Sequence, residues 1–115
     1  MDESEGHVAY VARQRLEARR IAECALSGQL RPIEAARQLT SLGWLLVEDF
    51  WSDPDFSVLG ALDSEADHLP VGEARQYWAP SALEMKDAEI LRIENSAREE
   101  VLAACRSIRD RYGAG

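Results

Sequence analysis

The stretch Ser81–Gly113, SALEMKDAEILRIENSAREEVLAACRSIRDRYG, decides the fold. Its apolar residues recur every three or four positions, the period at which side chains share one face of an α-helix. They are Ile90, Ile93, Ala97, Val101, Ala104, Cys105, Ile108 and Tyr112. Ser81 and Glu84 have the spacing of a capping box. A helix of about thirty residues is too long to bury its face against one short neighbour, so we predict that the earlier helices pack on it.

Two further helices are predicted in the first part of the chain. The first runs from Ser4 to Ser27 and ends at Gly28, a residue suited to the position after a helix. The second begins at Pro32, which suits a first helical position, and runs towards Leu42, with Gly43 as a candidate terminator. The predicted buried face of the first helix comprises Val8, Val11, Ala18, Ala22, Ala25 and Leu26.

The segment after Gly43 is less regular. Trp44–Val47 is a short apolar run that periodicity cannot assign to helix or strand, although Trp and Val favour a strand slightly. Its predicted role is in the core. Residues 48–53 mix acids with Phe50 and Trp51 and should form a turn or a short helix.

A third helix is predicted from Pro54 to about Asp67, because Asp53 is an N-cap acid that Pro follows at the first helical position. Phe56, Leu59, Leu62 and Ala66 then share one face. A buried strand over residues 57–62 is the alternative. From His68 to Pro80 prolines and Gly72 predict a structured loop, with Arg75, Tyr77 and Trp78 available to hold it.

Together these elements predict an all-α protein, a single domain over residues 1–115 with about four helices and a structured acidic loop before the last. The composition, 46% hydrophobic and 30% charged, is that of a globular protein. The first thirty residues lack the apolar region of a secretory signal, so a cytoplasmic location is expected. Cys24 and Cys105 are expected to be buried free thiols, and a disulfide between the first and last helices is the alternative.

The charge is strongly segregated. Residues 38–74 contain eight acidic residues and no Lys or Arg, whereas the rest of the chain has 13 of each sign. The whole net charge of −8 therefore belongs to this window. Six of the eight aromatic residues lie in it or just beyond it, which places apolar anchors beside uncompensated charge.

Asp63 and Asp67 are one helical turn apart, where like charges repel by a few tenths of a kcal/mol. Either Arg75 folds back to neutralise them or a group outside the chain does. As a metal or acid–base site the segment from Asp63 to His68 is weak, because a helix turns Glu65 away and no partner of suitable geometry is evident. We therefore predict no metal, no cofactor and no enzymatic activity.

Other functions are disfavoured by composition. The chain has no Gly-rich phosphate loop, His-Glu-x-x-His, Cys-x-x-Cys or Gly-x-Ser-x-Gly motif. Nucleic-acid binding is disfavoured because the one region with unbalanced charge has the wrong sign. No apolar run approaches the ~18 residues that cross a bilayer, so no membrane association is expected.

A further set of residues carries a resemblance. It comprises Asp63-Ser64-Glu65, Asp67, Leu69-Pro70, Gly72-Glu73, Arg75, Trp78-Ala79-Pro80, Ala82-Leu83, Lys86-Asp87-Ala88-Glu89-Ile90, Val101 and Ala104-Cys105. This pattern, spanning about residues 28–110, resembles a family of small, uncharacterised bacterial helical proteins. It is similar to proteins encoded singly or beside polymorphic or contact-dependent toxins, where small acidic proteins serve as immunity factors. The resemblance implies toxin inhibition and assigns no functional residues.

We therefore expect an immunity-type inhibitor that blocks a basic protein toxin through an acidic surface containing aromatic residues. The alternative is a small helical adaptor or a homodimer that uses the long helix as its interface. The predicted partner-binding residues are Glu48, Asp49, Trp51, Asp53, Asp55, Asp63, Glu65, Asp67 and His68. Neutralising five of these acids, at positions 53, 55, 63, 65 and 67, should slow association with the toxin while the fold is retained.

Overall fold

The computed structural model of the protein describes residues 3–113, with side chains from Gly6 onward. It contains four α-helices: α1 (Glu3–Leu26), α2 (Pro32–Leu46), α3 (Pro54–Ala66) and α4 (Pro80–Gly113). Two 3₁₀ helices, Phe50–Ser52 and Gly72–Tyr77, lie before α3 and α4, and residues 3–113 contain no strand. The prediction of an all-α bundle with a long C-terminal helix is confirmed. Within the same residues, no helix has both the length and the apolar character that crossing a bilayer requires.

Helix α4 sets the long dimension of the molecule. Its 34 residues correspond to about 50 Å of helix, and the molecule measures 54 × 28 × 25 Å. The predicted stripe is buried at Ile90, Ile93, Val101 and Ile108. Helices α1 and α3 pack extensively on α4, as predicted, whereas α2 packs mainly on α1 and α3 and touches α4 less.

The N-terminal part of α1 extends beyond the other helices. Arg19 donates a hydrogen bond to the Gly113 carbonyl over 3.4 Å, so the end of α4 lies against the middle of α1. Residues 6–10 are exposed, and Val8 is 66% exposed. The prediction that Val8 belongs to the buried face is therefore wrong, while Ala18, Ala22 and Ala25 are buried as expected.

Helix α2 does not end at Gly43 but continues to Leu46. Gly43 is buried, and a Cβ there would lie 2.6 Å from Cδ1 of Phe56 and 2.7 Å from Cε2 of Phe50. The glycine therefore permits close approach of two aromatic rings rather than terminating the helix. The expectation that Trp44–Val47 is core is wrong for its first two residues, because Trp44 and Leu45 are exposed.

The predicted start of α3 is confirmed. Oδ1 of Asp53 accepts hydrogen bonds from the backbone N–H groups of Asp55 and Phe56, both over 3.0 Å, and Pro54 is the first helical residue. Its buried face includes Phe56, Leu59, Leu62 and Ala66, as expected from the period. The strand alternative for residues 57–62 is wrong, because local capping and a helical apolar period act together there.

The ends of α1 and α4 test two further predictions. Gly28 has φ +82°, a left-handed conformation that glycine adopts without strain, and it follows the end of α1 as predicted. Helix α4 begins one residue before Ser81: the N–H of Leu83 bonds to the carbonyl of Ala79 over 3.0 Å. Pro80 is then the first helical residue, so the predicted capping box is wrong.

Both cysteines are free thiols, so the disulfide alternative is wrong. Cys105 is buried in α4, and burial raises the pKa of its thiol to about 11. Cys24 is only half-buried and lies 3.5 Å from Oε1 of Gln29. The prediction of a buried thiol holds for Cys105 and not for Cys24.

Candidate protein-binding surface

The structure distributes the predicted partner-binding residues over both ends of α3. Glu48, Asp49 and Trp51 precede this helix, and Asp53 and Asp55 lie at its start. The other four lie towards or beyond its C-terminal end: Asp63, Glu65, Asp67 and His68. Thirteen helical residues span about 20 Å, which exceeds the screening length of ~8 Å at physiological salt. The two groups therefore act separately on an approaching partner.

Asp53 and Asp55 are neutralised within the fold. Nη2 of Arg111 lies 2.6 Å from Oδ2 of Asp53, and Nη1 of Arg111 lies 3.7 Å from Oδ2 of Asp55. The Ser107 hydroxyl also donates to Asp55 over 2.7 Å. Burial raises the pKa of the Asp53 carboxyl, but hydrogen bonds from Arg111 and from the backbone at Phe56 and Asp55 outweigh it, so the pKa lies below its usual value. These two acids hold α3 against the end of α4.

Asp63 is partly neutralised by Arg37, not by Arg75. Nε of Arg37 lies 3.7 Å from Oδ1 of Asp63, and its Nη2 donates to the carbonyls of Ala66 and Leu69 at the end of α3. Burial raises the pKa of the Asp63 carboxyl; Arg37 opposes that rise and Asp67 adds to it. Helix α2 therefore supplies the cation that we expected from the loop.

Arg75 pairs with α4 instead. Its Nη1 and Nη2 lie 2.6 Å and 3.0 Å from the two carboxylate oxygens of Asp87. The predicted return of Arg75 to Asp63 or Asp67 is wrong. Leu69 and Val71 are buried, and they direct the loop away from α3 and towards α4, where Arg75 pairs with Asp87. The loop is structured as expected, but Tyr77 is 84% exposed and does not hold it.

The exposed end of the acidic segment contains Glu65, Asp67 and His68. Nε2 of His68 lies 2.9 Å from Oε1 of Glu89, and its Nδ1 lies 3.9 Å from Oδ1 of Asp67. The hydrogen bond from His68 holds the pKa of the Glu89 carboxyl below its usual range. In the part of the chain that the structure describes, no three His, Cys, Asp or Glu side chains converge as a metal site would require.

The other end of α3 presents two tryptophans to solvent. Trp44 and Trp51, which we call the tryptophan corner, are 58% and 55% exposed. Trp44 stacks on the buried ring of Phe50 with centroids 4.2 Å apart and planes 14° apart. Trp51 meets Phe50 edge to face at 5.0 Å and Trp44 at 6.1 Å. Both indoles therefore rest on a ring anchored in the core.

Glycines allow this arrangement. A Cβ at Gly60 would lie 2.5 Å from Cε1 of Phe50 and 3.0 Å from Cη2 of Trp51. Together with Gly43 on α2, Gly60 on α3 lets Phe50 enter between the two helices. A buried Phe50 in turn fixes the planes of Trp44 and Trp51, so the corner has a defined geometry before any partner binds.

The charge at the tryptophan corner is negative. Glu48 and Asp49 are exposed, and neither forms an ion pair with any side chain described. Asp49 accepts one hydrogen bond, from the Ser52 hydroxyl over 2.7 Å. The last turn of α2, which contains Trp44, has no basic residue. The C-terminal end of a helix carries a partial negative charge, but Arg15 and Arg111 line a pocket with Leu46 and Val47 and offset it, so the local field comes mainly from the two carboxylates.

Sequence reasoning missed Trp44 as a surface residue and Glu94 as a buried one. A longer α2 would not by itself have revealed this exposure, because Trp44 follows the buried Ile33 by eleven positions and Thr40 by four and so lies near the same face of the helix. Glu94 follows Ile90 by four positions and lies on the apolar stripe of α4, where a carboxylate is anomalous.

Glu94 is 2% exposed and joins two helices. Its Oε1 lies 3.0 Å from Nη2 of Arg31, and its Oε2 accepts from Nε of Arg31 over 3.0 Å and from the N–H of Ile33 over 3.1 Å. The carboxylate thus satisfies a free donor in the first turn of α2 and pairs with the residue before that helix. Its role is structural.

Comparison with known proteins identifies a family but no characterised relative. A family described as a protein of unknown function, DUF2489, matches residues 8–108. No curated protein and no solved structure matches the chain. The match confirms the expectation of an uncharacterised family and carries no link to immunity proteins. Because the match spans most of the sequence, the chain belongs to the DUF2489 family.

Proposed function

We propose that this protein is a non-enzymatic inhibitor of the immunity type, which binds a basic bacterial toxin domain through the tryptophan corner and its flanking acids. The observation that carries the proposal is the pair of exposed, preorganised indoles at Trp44 and Trp51 beside two unpaired carboxylates. Tryptophan is enriched among the few residues that dominate binding energy at protein interfaces.

The local charge supports a basic partner. Glu48 and Asp49 face solvent without an ion-pair partner among the described side chains, so they attract positive charge from a distance. Such fields speed association and have less effect on the lifetime of the complex. The sequence resemblance to immunity factors is consistent with such a partner.

The homodimer alternative, through the long helix, has less support. Outward positions of α4 include Arg92, Arg98, Glu99, Glu100 and Arg106, all of them exposed. A stable interface is instead depleted of charge at its centre. We therefore place the binding surface at the tryptophan corner and not on α4.

The direct test is co-expression with a candidate toxin domain from a neighbouring gene. We expect the chain to protect cells from that toxin and to form a complex with it. Trp44→Ala and Trp51→Ala should each weaken the complex by about 2 kcal/mol or more, the scale of an interface hot spot. Tyr77→Ala is the matched control, because Tyr77 is an exposed aromatic residue that lies beyond the acidic window and away from the tryptophan corner. A chain that neither binds nor protects would contradict the proposal.

A second measurement tests the charge. Glu48→Gln with Asp49→Asn should slow association and flatten its salt dependence, with the dissociation rate little changed. Glu99→Gln with Glu100→Gln removes the same charge from exposed positions on α4 and should have little effect. This pair replaces the five-acid test, because Asp53 and Asp55 are held by Arg111 and their neutralisation would also weaken the fold.

A further inference from the structure

We infer that the tryptophan corner recognises a cationic side chain, an arginine or lysine that the protein partner presents, by contact with the indole faces and pairing with Glu48 and Asp49. The inference rests on the proposed function in one respect, since it places the partner at the same surface. It adds the chemistry of the central contact: the proposed function would also allow an apolar side chain or a hydrogen-bonded backbone segment there, and the inference specifies a cation.

The ring geometry supports a cation. One face of Trp44 is covered by Phe50 at 4.2 Å, and its 58% exposure leaves the opposite face to solvent. The Trp51 ring stands at 76° to that of Trp44 and lies closer to Phe50, at 5.0 Å, than to Trp44, at 6.1 Å. Trp51 therefore lies beside the stack, and the open face of Trp44 is the main contact for a cation. The face of an aromatic ring carries negative electrostatic potential, and indole attracts cations more strongly than the phenyl or phenol ring.

The surrounding charges act in the same direction. The exposed carboxylates of Glu48 and Asp49 supply negative potential here. An apolar anchor would gain nothing from these groups and would strip water from them. A guanidinium or ammonium group can contact the rings and pair with the carboxylates at once.

The fold itself contains a worked example of this combination. The guanidinium carbon of Arg111 lies 5.9 Å from the ring centre of Phe56 and 5.7 Å from that of Tyr112, while the same group pairs with Asp53 and Asp55. Phe56 in turn lies 6.0 Å from Phe50, the ring on which Trp44 stacks. The tryptophan corner lies at the other end of this row of rings, Phe56, Phe50 and Trp44, and there the same two kinds of group, aromatic faces and carboxylates, are exposed to solvent.

The first test uses a hexa-arginine peptide as the probe and follows the three indole N–H signals by NMR. We expect saturable, salt-sensitive shifts at Trp44 and Trp51 and little change at Trp78, which serves as an internal control. Hexa-citrulline, which has the same shape without charge, should produce no saturable shift. Glu48→Gln with Asp49→Asn should weaken peptide binding at least about tenfold, whereas Glu99→Gln with Glu100→Gln should change it less than about twofold.

The inference is overturned if the peptide shifts signals near Glu65 and Asp67 more than those of the corner, or if citrulline binds equally well. A Trp44→Leu variant lacks the Trp44 signal and should lose the peptide-induced shift at Trp51, but it also removes the stack on Phe50. A measurement that preserves the shape of the ring is therefore needed as well.

Fluorinated tryptophans supply that measurement, because fluorine withdraws electron density from the indole face and leaves its shape almost unchanged. Mono-, di- and trifluorotryptophan are incorporated in a Trp78→Phe background, and peptide affinity is compared across the series. We expect affinity to fall stepwise with each fluorine, as cation–π attraction requires. Affinity that stays constant or rises would show that the rings act as apolar surface and would overturn the inference.

The two proposals fail in distinguishable ways. If the peptide binds at the corner but no toxin domain is bound or blocked, the cation site stands and the proposed function fails. If a toxin complex forms and is insensitive to fluorination and to Trp44, the inhibitor function stands with a different surface, and the cation site fails.

Discussion

Glu48 and Asp49 differ from Asp53 and Asp55 in what the fold does with them, although all four lie within eight positions of sequence. The first pair is exposed and has no ion-pair partner among the side chains described. The second pair is held by Arg111 at the far end of α4, 58 residues from Asp53. A local excess of acids in sequence is therefore not the same as an acidic surface, because the compensating cations arrive from distant segments.

The difference follows from backbone position. Asp53 is the N-cap of α3, so its carboxylate must sit at a buried helix start, where it needs a partner to offset the loss of water. Glu48 and Asp49 lie in the connection between α2 and the first 3₁₀ helix, where both side chains stay in water. The paired acids stabilise the fold, and the unpaired ones remain available to a partner.

The comparison predicts that removing an ion-paired acid lowers the free energy of unfolding, and the largest loss is expected at the most buried one, Glu94. Glu94→Ala leaves the Arg31 guanidinium and the Ile33 N–H without their acceptor. Because Arg31 is 31% exposed and can be hydrated, the cost should be about 3 kcal/mol, the low end for a buried ion pair. Urea denaturation measures the loss. Glu94→Gln keeps an acceptor for Ile33 and should lose less. A loss below about 1 kcal/mol for the alanine variant would mean that Glu94 is not a structural acid.

The next largest effect is expected at Asp53. Asp53→Ala removes the helix cap and the Arg111 pair and should cost about 2 kcal/mol. Asp53→Asn keeps the cap, since Asn is also a favoured N-cap, and separates the two contributions. Glu48→Gln and Asp49→Asn should each change stability by less than about 0.5 kcal/mol. Equal losses at Asp53 and Glu48 would erase the distinction between paired and unpaired acids.

The pH dependence of stability tests whether Asp53 is held as a carboxylate in the folded protein. The pKa of Asp53 is lower in the folded protein than its ordinary value of 3.8, so its contribution is present above that pH and is lost as the pH falls through the folded pKa. Asp53→Asn should therefore lose less stability than the wild-type protein when both are acidified. If the free energy of unfolding falls equally in the two proteins as the pH is lowered, Asp53 does not have the lowered pKa.

The smallest expected effect is at Asp63, where neutralising the acid should raise the free energy of unfolding instead of lowering it. The pKa of the Asp63 carboxyl is raised by burial despite Arg37, so its stabilising contribution is present below the unfolded pKa and is lost as the pH rises through the folded one. At neutral pH Asp63→Asn should raise stability by a few tenths of a kcal/mol, and the gain should vanish near pH 3. Arg37 keeps its bonds to the Ala66 and Leu69 carbonyls in the variant. A loss of more than about 1 kcal/mol would show that the Arg37 pair outweighs burial.

The sequence predicted the candidate surface only in part. The sequence places Trp51, Glu48 and Asp49 in it, and all three are exposed, whereas it assigns Trp44 to the core as part of the apolar run Trp44–Val47. From local chemistry alone, Gly43 indicates a helix terminator. Its role is to admit the rings of Phe50 and Phe56, which no pattern within α2 could reveal.

What the sequence determined by itself are the features that depend on neighbours within about one helical turn. The apolar period of α4, the Asp53-Pro54 start of α3 and the left-handed Gly28 after α1 are of this kind. Only the tertiary structure decided that Arg111 neutralises Asp53, that Glu94 joins α4 to α2 across 63 positions, and that Trp44 faces solvent. Backbone conformation is set by short-range sterics and hydrogen bonds, whereas exposure and ion pairing depend on which distant segment packs alongside.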